Sequence, residues 1–380
     1  MANMRAITLS TILTLLLMGC GSSSTGAAGS GGTPGTGGSP GTGATGGSDS
    51  KVTMMHTFDP LSIEVAEEVR DVCQTWILDN DEPLYVNTVR QSNDGGWHHS
   101  NWFFVPETAY PVNPEVEGPD ATVEGTWDCD ARGYSEYGAA GLGGAFFFQS
   151  TQNLGEEQAF PKGAAVEIPP RSMVVGAVHL LNITGAPLET SMSFEVEALP
   201  EEEVEIPLSV ISYQIGDIVI PPAVDGVPQE SRTSLACDLG PVFGRLDLPT
   251  DFNVYYVLSH YHERGNYFNL SFVDDEGGRE TIFETRNSVG EPLGQVIDPP
   301  IHTNGSTILR SECGFLNETD QTIRRGFSQE MCDFIMYTDA RIKIGTGGGE
   351  NRAMGPNEDG IEEFEVDCPD SSIIGLPYTL

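Results

Sequence analysis

The sequence predicts an all-β fold, two antiparallel sandwiches carried on a flexible tether. Three observations lead there. Apolar residues recur with period two, most clearly at Leu188, Thr190, Met192, Phe194, Val196 and Ala198, with Glu189, Ser191, Ser193, Glu195 and Glu197 between them. That alternation describes a strand with one buried face. Gly, Pro, Asn and Asp clusters separate such runs, and no long stretch shows the 3.6-residue period of an amphipathic helix. Finally, 380 residues suffice for two cores, and the charged segment 200–205 divides the chain between them.

Taken in order, residues 1–19 read as a secretory signal, in which Arg5 precedes an apolar run at 7–17 that is too short to span a bilayer. The run ends in Leu17-Met18-Gly19-Cys20, which resembles the bacterial lipobox, so Cys20 is expected to carry the lipid. Gly21 in place of an aspartate favours the outer membrane. Residues 20–51 form the tether: 12 glycines, 7 serines and 5 threonines at 21–50, against the single charge of Asp49, cannot bury apolar surface.

The β-rich halves are 52–200 and 206–380. Residues 62–72 are Glu-rich and compatible with a helix, but Val72-Cys73-Gln74-Thr75-Trp76-Ile77-Leu78 favours a strand from about Val69. A short strand follows at 145–148. Met173–Leu181 is apolar on both faces, as a central strand is, and 188–198 closes the half. In the second half the runs at 208–220, 255–262, 267–272 and 331–337 read the same way. Many short strands at such spacing imply sandwiches.

A net charge of −38 argues against binding nucleic acid or an anionic membrane surface through charge. Membrane attachment is expected only through Cys20, and the chain is expected to be a monomer. Six further cysteines remain: Cys73, Cys129, Cys237, Cys313, Cys332 and Cys368. An even number in an exported chain implies three disulfides, among fifteen possible connectivities. Without a Cys-x-x-Cys, zinc-ribbon and thioredoxin-like folds lose their main support.

Chemistry gathers at the histidines. His260 and His262 lie two apart on a strand, so both face one side, and convergent imidazoles on a stiff scaffold make half a metal site. His98 and His99 are adjacent and would face opposite sides of a regular strand; to share a metal they need a bulge or strand end, and Asp94-Gly95-Gly96 supplies irregular backbone beside them. His179 sits in an apolar strand of the same half. Met331 precedes Cys332, so that a strand there would aim Met331 and Cys332 to opposite faces. Each has an ordinary alternative: hydrogen-bonded pairs for the histidine doublets, a satisfied core residue for His179, and core filling for Met331. His56 and His302 belong to neither group.

The ordered set His98-His99, His179, His260-x-His262 and Glu330-Met331-Cys332 resembles the copper type II, ascorbate-dependent monooxygenases, the family of peptidylglycine alpha-hydroxylating and dopamine beta-monooxygenases. The match spans about residues 67–340. The resemblance implies jelly-roll-like domains facing each other across a cleft that admits substrate. It implies two copper ions per chain: one on His98, His99 and His179 for electron transfer, the other on His260, His262 and Met331 for dioxygen chemistry at a C–H bond, with ascorbate or a similar reductant. A mixed imidazole and thioether set suits copper, whose Cu(I) state the sulfur favours. The resemblance also pairs Cys313 with Cys332; Cys73 with Cys129 and Cys237 with Cys368 then keep each bridge within one half.

Two departures bear on substrate. Leu258 stands where the peptide-amidating members carry a carboxylate-binding arginine, and Asp333 and Phe334 replace the Asn and Tyr that follow the methionine. An acid at 333 is expected to repel a carboxylate, so peptide amidation is not implied. Two other functions fit the sequence: a surface lipoprotein that binds copper without turnover, and a structural β-sandwich adhesin or carbohydrate binder with incidental histidines.

Overall fold

Period-two alternation becomes strand nearly everywhere it was expected. The structure, a computed structural model, describes residues 51–106, 124–129, 145–149, 154–274, 276–286, 294–326, 329–368 and 372–375. The signal segment, Cys20 and most of the tether lie outside the described residues. The first half contributes β1 (Val52–Thr57), β2 (Leu61–Ile63), β3 (Glu68–Ile77), β4 (Leu84–Asn93), β5 (Trp97–Val105), β6 (Gly125–Asp128) and β7 (Ala145–Gln149). It continues with β8 (Gly155–Ala159), β9 (Ala164–Ile168), β10 (Met173–Leu181), β11 (Leu188–Thr190) and β12 (Met192–Leu199), and ends in β13 (Ile206–Pro207), which lies past the expected boundary but pairs with β9. The second half begins with β14 (Ser209–Ile215), β15 (Val219–Ile220), β16 (Gln229–Asp238), β17 (Asn253–His260), β18 (Gly265–Val273), β19 (Arg279–Thr285) and β20 (Gln295–His302). It ends with β21 (Ile308–Asn317), β22 (Ile323–Arg324), β23 (Asp333–Thr338), β24 (Lys343–Gly348), β25 (Asn351–Pro356), β26 (Glu362–Val366) and β27 (Ser372–Gly375).

The fold is all-β. One sheet runs β1-β12-β4-β9-β13, with β8 also on β4, and shares a core with β6-β3-β10-β5-β7. The second sandwich sets β20-β17-β23-β14-β24-β27 against β19-β18-β21-β16-β26-β25. Pairing among the described strands is antiparallel except at β13/β9, β14/β24 and β16/β26. Two expected strands are divided. The run at 188–198 breaks at Ser191, where the chain leaves a small ribbon with β2 for the main sheet. The run at 208–220 likewise splits into β14 and β15. Alternation reports which face is buried and is blind to a change of sheet.

The two halves repeat one topology. β1-β12-β4 corresponds to β14-β23-β17, and β3-β10-β5 to β16-β21-β18, with the ribbons β2/β11 and β15/β22 at the same corner. The register repeats as well. A bulge between Glu197 and Ala198 opposite β4 recurs between Tyr337 and Thr338 opposite β17. Another, between His179 and Leu180 opposite β5, recurs between Gly314 and Phe315 opposite β18. Shortly after come Asn182 and Asn317, both fully buried. In each, the Asn Oδ1 accepts the N–H and the hydroxyl of the threonine two residues on, at 2.9 and 2.7 Å. The Nδ2 donates across the corner, from Asn182 to Ile63 O at 3.0 Å and from Asn317 to Pro221 O at 2.9 Å.

The halves meet in apolar contact. Tyr256, Leu258, Ile335 and Tyr337 alternate with residues of their own core and join the first half's core, with Leu208 and Val210. The Phe160 ring lies 4.7 Å from Tyr337 and 5.6 Å from Tyr256. Leu258 is therefore packed between the halves and does not line the expected cleft.

Disulfides join Cys73 to Cys129, Cys237 to Cys368 and Cys313 to Cys332, with Cα separations of 5.2, 5.2 and 6.0 Å. All three pairings are those expected, and they assign the protein to an oxidising compartment, extracellular or periplasmic. Among the described residues no helix is long and apolar enough to cross a membrane.

Candidate metal centres

The β17 ladder stops at His260, opposite Asp333. The strand expected to reach His262 is thus shorter by two residues, because a side chain captures the backbone that would have continued it. Glu330 Oε2 accepts the His262 N–H at 3.0 Å and Oε1 accepts the Arg264 N–H at 2.7 Å. The chain reverses there in a turn closed by the Gly265 N–H on His262 O at 3.0 Å. Glycine is required at 265, since a Cβ would fall 2.0 Å from the Tyr261 ring. The turn leaves the His260 and His262 rings edge to face, 5.1 Å between centroids, with residue exposures of 3 % and 7 %.

The ring of His262 has a defined proton. Its Nδ1 lies 3.2 Å from the Gln329 carbonyl, and a carbonyl only accepts. Nδ1 therefore carries a hydrogen, and in the neutral ring Nε2 carries the lone pair, the tautomer a metal ligand requires. Met331, also buried, follows directly on Glu330. β23 begins only at Asp333, so Met331 and Cys332 precede the strand, and the bond to Cys313 ties Cys332 to β21. Met331 and His262 have counterparts in the repeat. Counted from the shared bulges, their counterparts in the first half are Ser191 and Asp94, and these touch: Asp94 Oδ2 accepts the Ser191 hydroxyl at 2.6 Å and its N–H at 3.3 Å.

Two acids shape this region. Burial pushes the Glu330 carboxyl up to about 7, and the N–H groups of Arg264 and His262 pull it only part of the way back. Asp333 pairs with Arg325 through contacts of 2.8 and 3.0 Å, and Arg325 Nη1 also donates to Ile215 O at 2.7 Å. The expectation that Asp333 repels a carboxylate fails on this point, since the guanidinium beside it balances its charge.

In the first half, β10 and β5 place His99 directly opposite His179, and Trp97 opposite Leu180. His98 is the extra residue of the bulge between them, the irregularity that adjacent ligands need. Gly95 and Gly96 lead into it at φ of +102° and +74°. The His98 and His99 side chains are outside what the structure describes. His179 Nε2 lies 2.7 Å from Glu68 Oε1. A hydrogen bond from Arg70, opposed by burial and assisted by His179, holds the Glu68 carboxyl below its ordinary range, so it accepts the Nε2 hydrogen; in the neutral ring the lone pair is then on Nδ1. In the second half the equivalent positions hold Asn266, Tyr267 and Gly314, with Tyr267 between Arg232 and Arg286 at 4.7 and 4.6 Å. The two candidate sets thus occupy non-equivalent places in the repeat.

Among the described residues no three His, Cys, Asp or Glu side chains converge as a metal-binding group. The expected sets would each need a donor outside that group: the Met331 thioether in one, and His98 and His99, whose side chains are not described, in the other. The donor types and the ring tautomers of His179 and His262 fit copper. His56 and His302 have other partners: His56 stacks on Trp76 at 5.3 Å, and His302 Nε2 meets Asp251 at 2.7 Å. Glu68, Arg325 and the role of Glu330 escaped sequence reasoning. Only an acid directly before the methionine was there to suggest the last.

No protein-family model matches the chain, and no curated protein does. Among solved structures it is similar to the PBSX exported protein XepA, at 7 % identity over 75 % of this chain and 86 % of that one, with a TM-score of 0.18. It is also similar to PNGase F, a glycosylasparaginase from Flavobacterium meningosepticum, at 10 % identity over 76 % and 96 % of the two chains, with a TM-score of 0.32. For the infectious bursal disease virus VP2 subviral particle the values are 6 %, 76 %, 72 % and 0.18. Similarity at these scores carries no argument about activity.

Proposed function

We propose that this protein is an exported copper-dependent monooxygenase that hydroxylates a C–H bond of a small organic substrate with dioxygen and an ascorbate-like reductant. The observation that carries the proposal is the buried His260 and His262 pair, with rings 5.1 Å apart on a turn that Glu330, the residue before Met331, holds through two hydrogen bonds. The opposition of His99 and His179 across one ladder supports a second site. Hydroxylation consumes a C–H bond, dioxygen, two electrons and two protons and yields an alcohol and water. Copper on imidazole and thioether ligands supplies the one-electron and dioxygen chemistry that such a reaction needs. His260, His262 and Met331 would hold one ion, and His98, His99 and His179 the other.

The chain's own contribution is orientation and shielding. The Gln329 carbonyl and the Glu68 carboxylate each fix one imidazole in its ligating form. The apolar contact at Leu258, Ile335 and Tyr337 keeps water from one side of the strand bearing His260. A cleft of about 280 Å³ opens beside the His262 turn, lined by Glu263, Arg264, Asn266, Leu316, Glu318 and Thr319. A lipid on Cys20 and the tether would hold a monomer off the outer membrane.

The test is oxygen uptake by the copper-loaded full chain with ascorbate. Uptake that persists in Met331→Ala would overturn the role given to that methionine. Copper binding without any uptake would instead favour a copper-binding lipoprotein.

A further inference from the structure

We infer that Glu330 is a positioning residue that staples the His262 turn to the Met331 segment and thereby fixes the backbone from which the His262 ring is presented for ligation. The inference rests on the copper assignment of His260, His262 and Met331. Its basis is the internal repeat. At the junction of the first half the two chain segments are tied by Asp94 Oδ2, which accepts the hydroxyl and the N–H of Ser191, by the Asp94 N–H on Ser191 O at 3.3 Å, and by the Thr190 hydroxyl on Gly95 O at 2.6 Å. A side chain so engaged is unavailable for another task. In the second half the same junction is closed from the opposite strand. Glu330, fully buried, reaches back and accepts the N–H groups of His262 and Arg264 at 3.0 and 2.7 Å. Where the first half has the Asp94 carboxylate among the ties, the second half has an imidazole, and the Glu330 carboxylate holds its backbone N–H.

Both carboxylate oxygens of Glu330 are committed to the turn, each accepting a backbone hydrogen at good distance. Its neighbour Gln329 contributes in the same direction by accepting from His262 Nδ1 at 3.2 Å. One short segment, 329–331, thus orients the ring, anchors the turn and supplies the thioether. Stiff second partners of this kind typically change metal affinity by about 10- to 100-fold when removed.

The test uses Glu330→Gln in the full chain. Glutamine keeps the shape and one acceptor, but its amide NH2 meets a backbone N–H, so one of the two bonds is lost. Cu(I) affinity is read by chelator competition in a His179→Ala background, which isolates the second set, and in a His262→Ala background, which isolates the first. Affinity of the second set should fall about tenfold or more, while that of the first stays within about twofold. Unchanged affinity, or a parallel fall at both sets, overturns the inference. Hydrogen exchange on the metal-free parent chain gives an arm independent of the variant's folding. The amides of His262 and Arg264 lie outside any ladder, yet should be protected as strongly as those of β17; exchange at exposed-turn rates would refute the staple. If the parent chain binds no copper while these amides are protected, the copper assignment fails and the staple stands as structure alone.

Discussion

Replacing Asn317 by alanine tests the repeated corner motif with a magnitude taken from the structure. Asn317 Nδ2 donates to Pro221 O and Gln321 O at 2.9 and 2.8 Å, and Oδ1 accepts the N–H and hydroxyl of Thr319 at 2.9 and 2.7 Å. Each bond contributes about 1 kcal/mol net, and a buried backbone group left unpaired costs about 1–3 kcal/mol. Since part of the corner can rehydrate, Asn317→Ala should lose about 3–5 kcal/mol of stability. The assay is urea unfolding followed by near-UV circular dichroism, which reads tertiary packing. Asn182→Ala should lose a similar amount from the first half, where the same contacts recur at 2.7 to 3.0 Å. A loss below about 1 kcal/mol in either variant would refute the reasoning, because groups buried without a partner cannot be so cheap. Both residues head Asn-x-Thr sequences, yet their amides are buried and engaged, so neither should accept a glycan when the chain passes through a eukaryotic secretory route; mass spectrometry decides that directly.

Other outcomes follow from the same contacts. Asp333→Asn removes a buried carboxylate that pairs with the partly buried Arg325 guanidinium and should cost about 2–4 kcal/mol in denaturant unfolding, whereas a surface pair would cost under 1. Opening the Cys313–Cys332 bridge, which spans 19 residues, should cost about 3 kcal/mol, and opening Cys237–Cys368, which spans 131, about 5, measured as midpoint shifts of the paired serine variants. The reverse order would show that native packing, rather than chain entropy, sets these contributions.

The sheet-forming runs were legible because one face of each strand is buried and the code for that is local. Leu188 to Ala198 alternates cleanly, yet nothing in the alternation marks Ser191 as the point where the chain changes sheets. His260 and His262 were legible as a pair on one face, and the structure keeps their rings together although the ladder ends at His260. What ends it is a carboxylate 68 residues away, Glu330, and no local pattern announces such a contact. The same applies to Asp333, which read as a bare acid because its partner Arg325 adopts that role only when the chain folds back. The repeat was hidden for another reason. The halves share bulges, registers and the two Asn-x-Thr corners, but the residues between them differ, and a shared backbone path leaves little trace in sequence once each face has adapted to its own neighbours.

The measurement that bears most directly on the proposed function is the copper content of the full chain after loading with Cu(I) and gel filtration, determined by mass spectrometry of the metal. Two equivalents per chain are expected, falling to one in His179→Ala and to one in His262→Ala. A chain that retains no copper, or whose copper is unaffected by either substitution, would contradict the assignment of His98, His99 and His179 to one ion and His260, His262 and Met331 to the other.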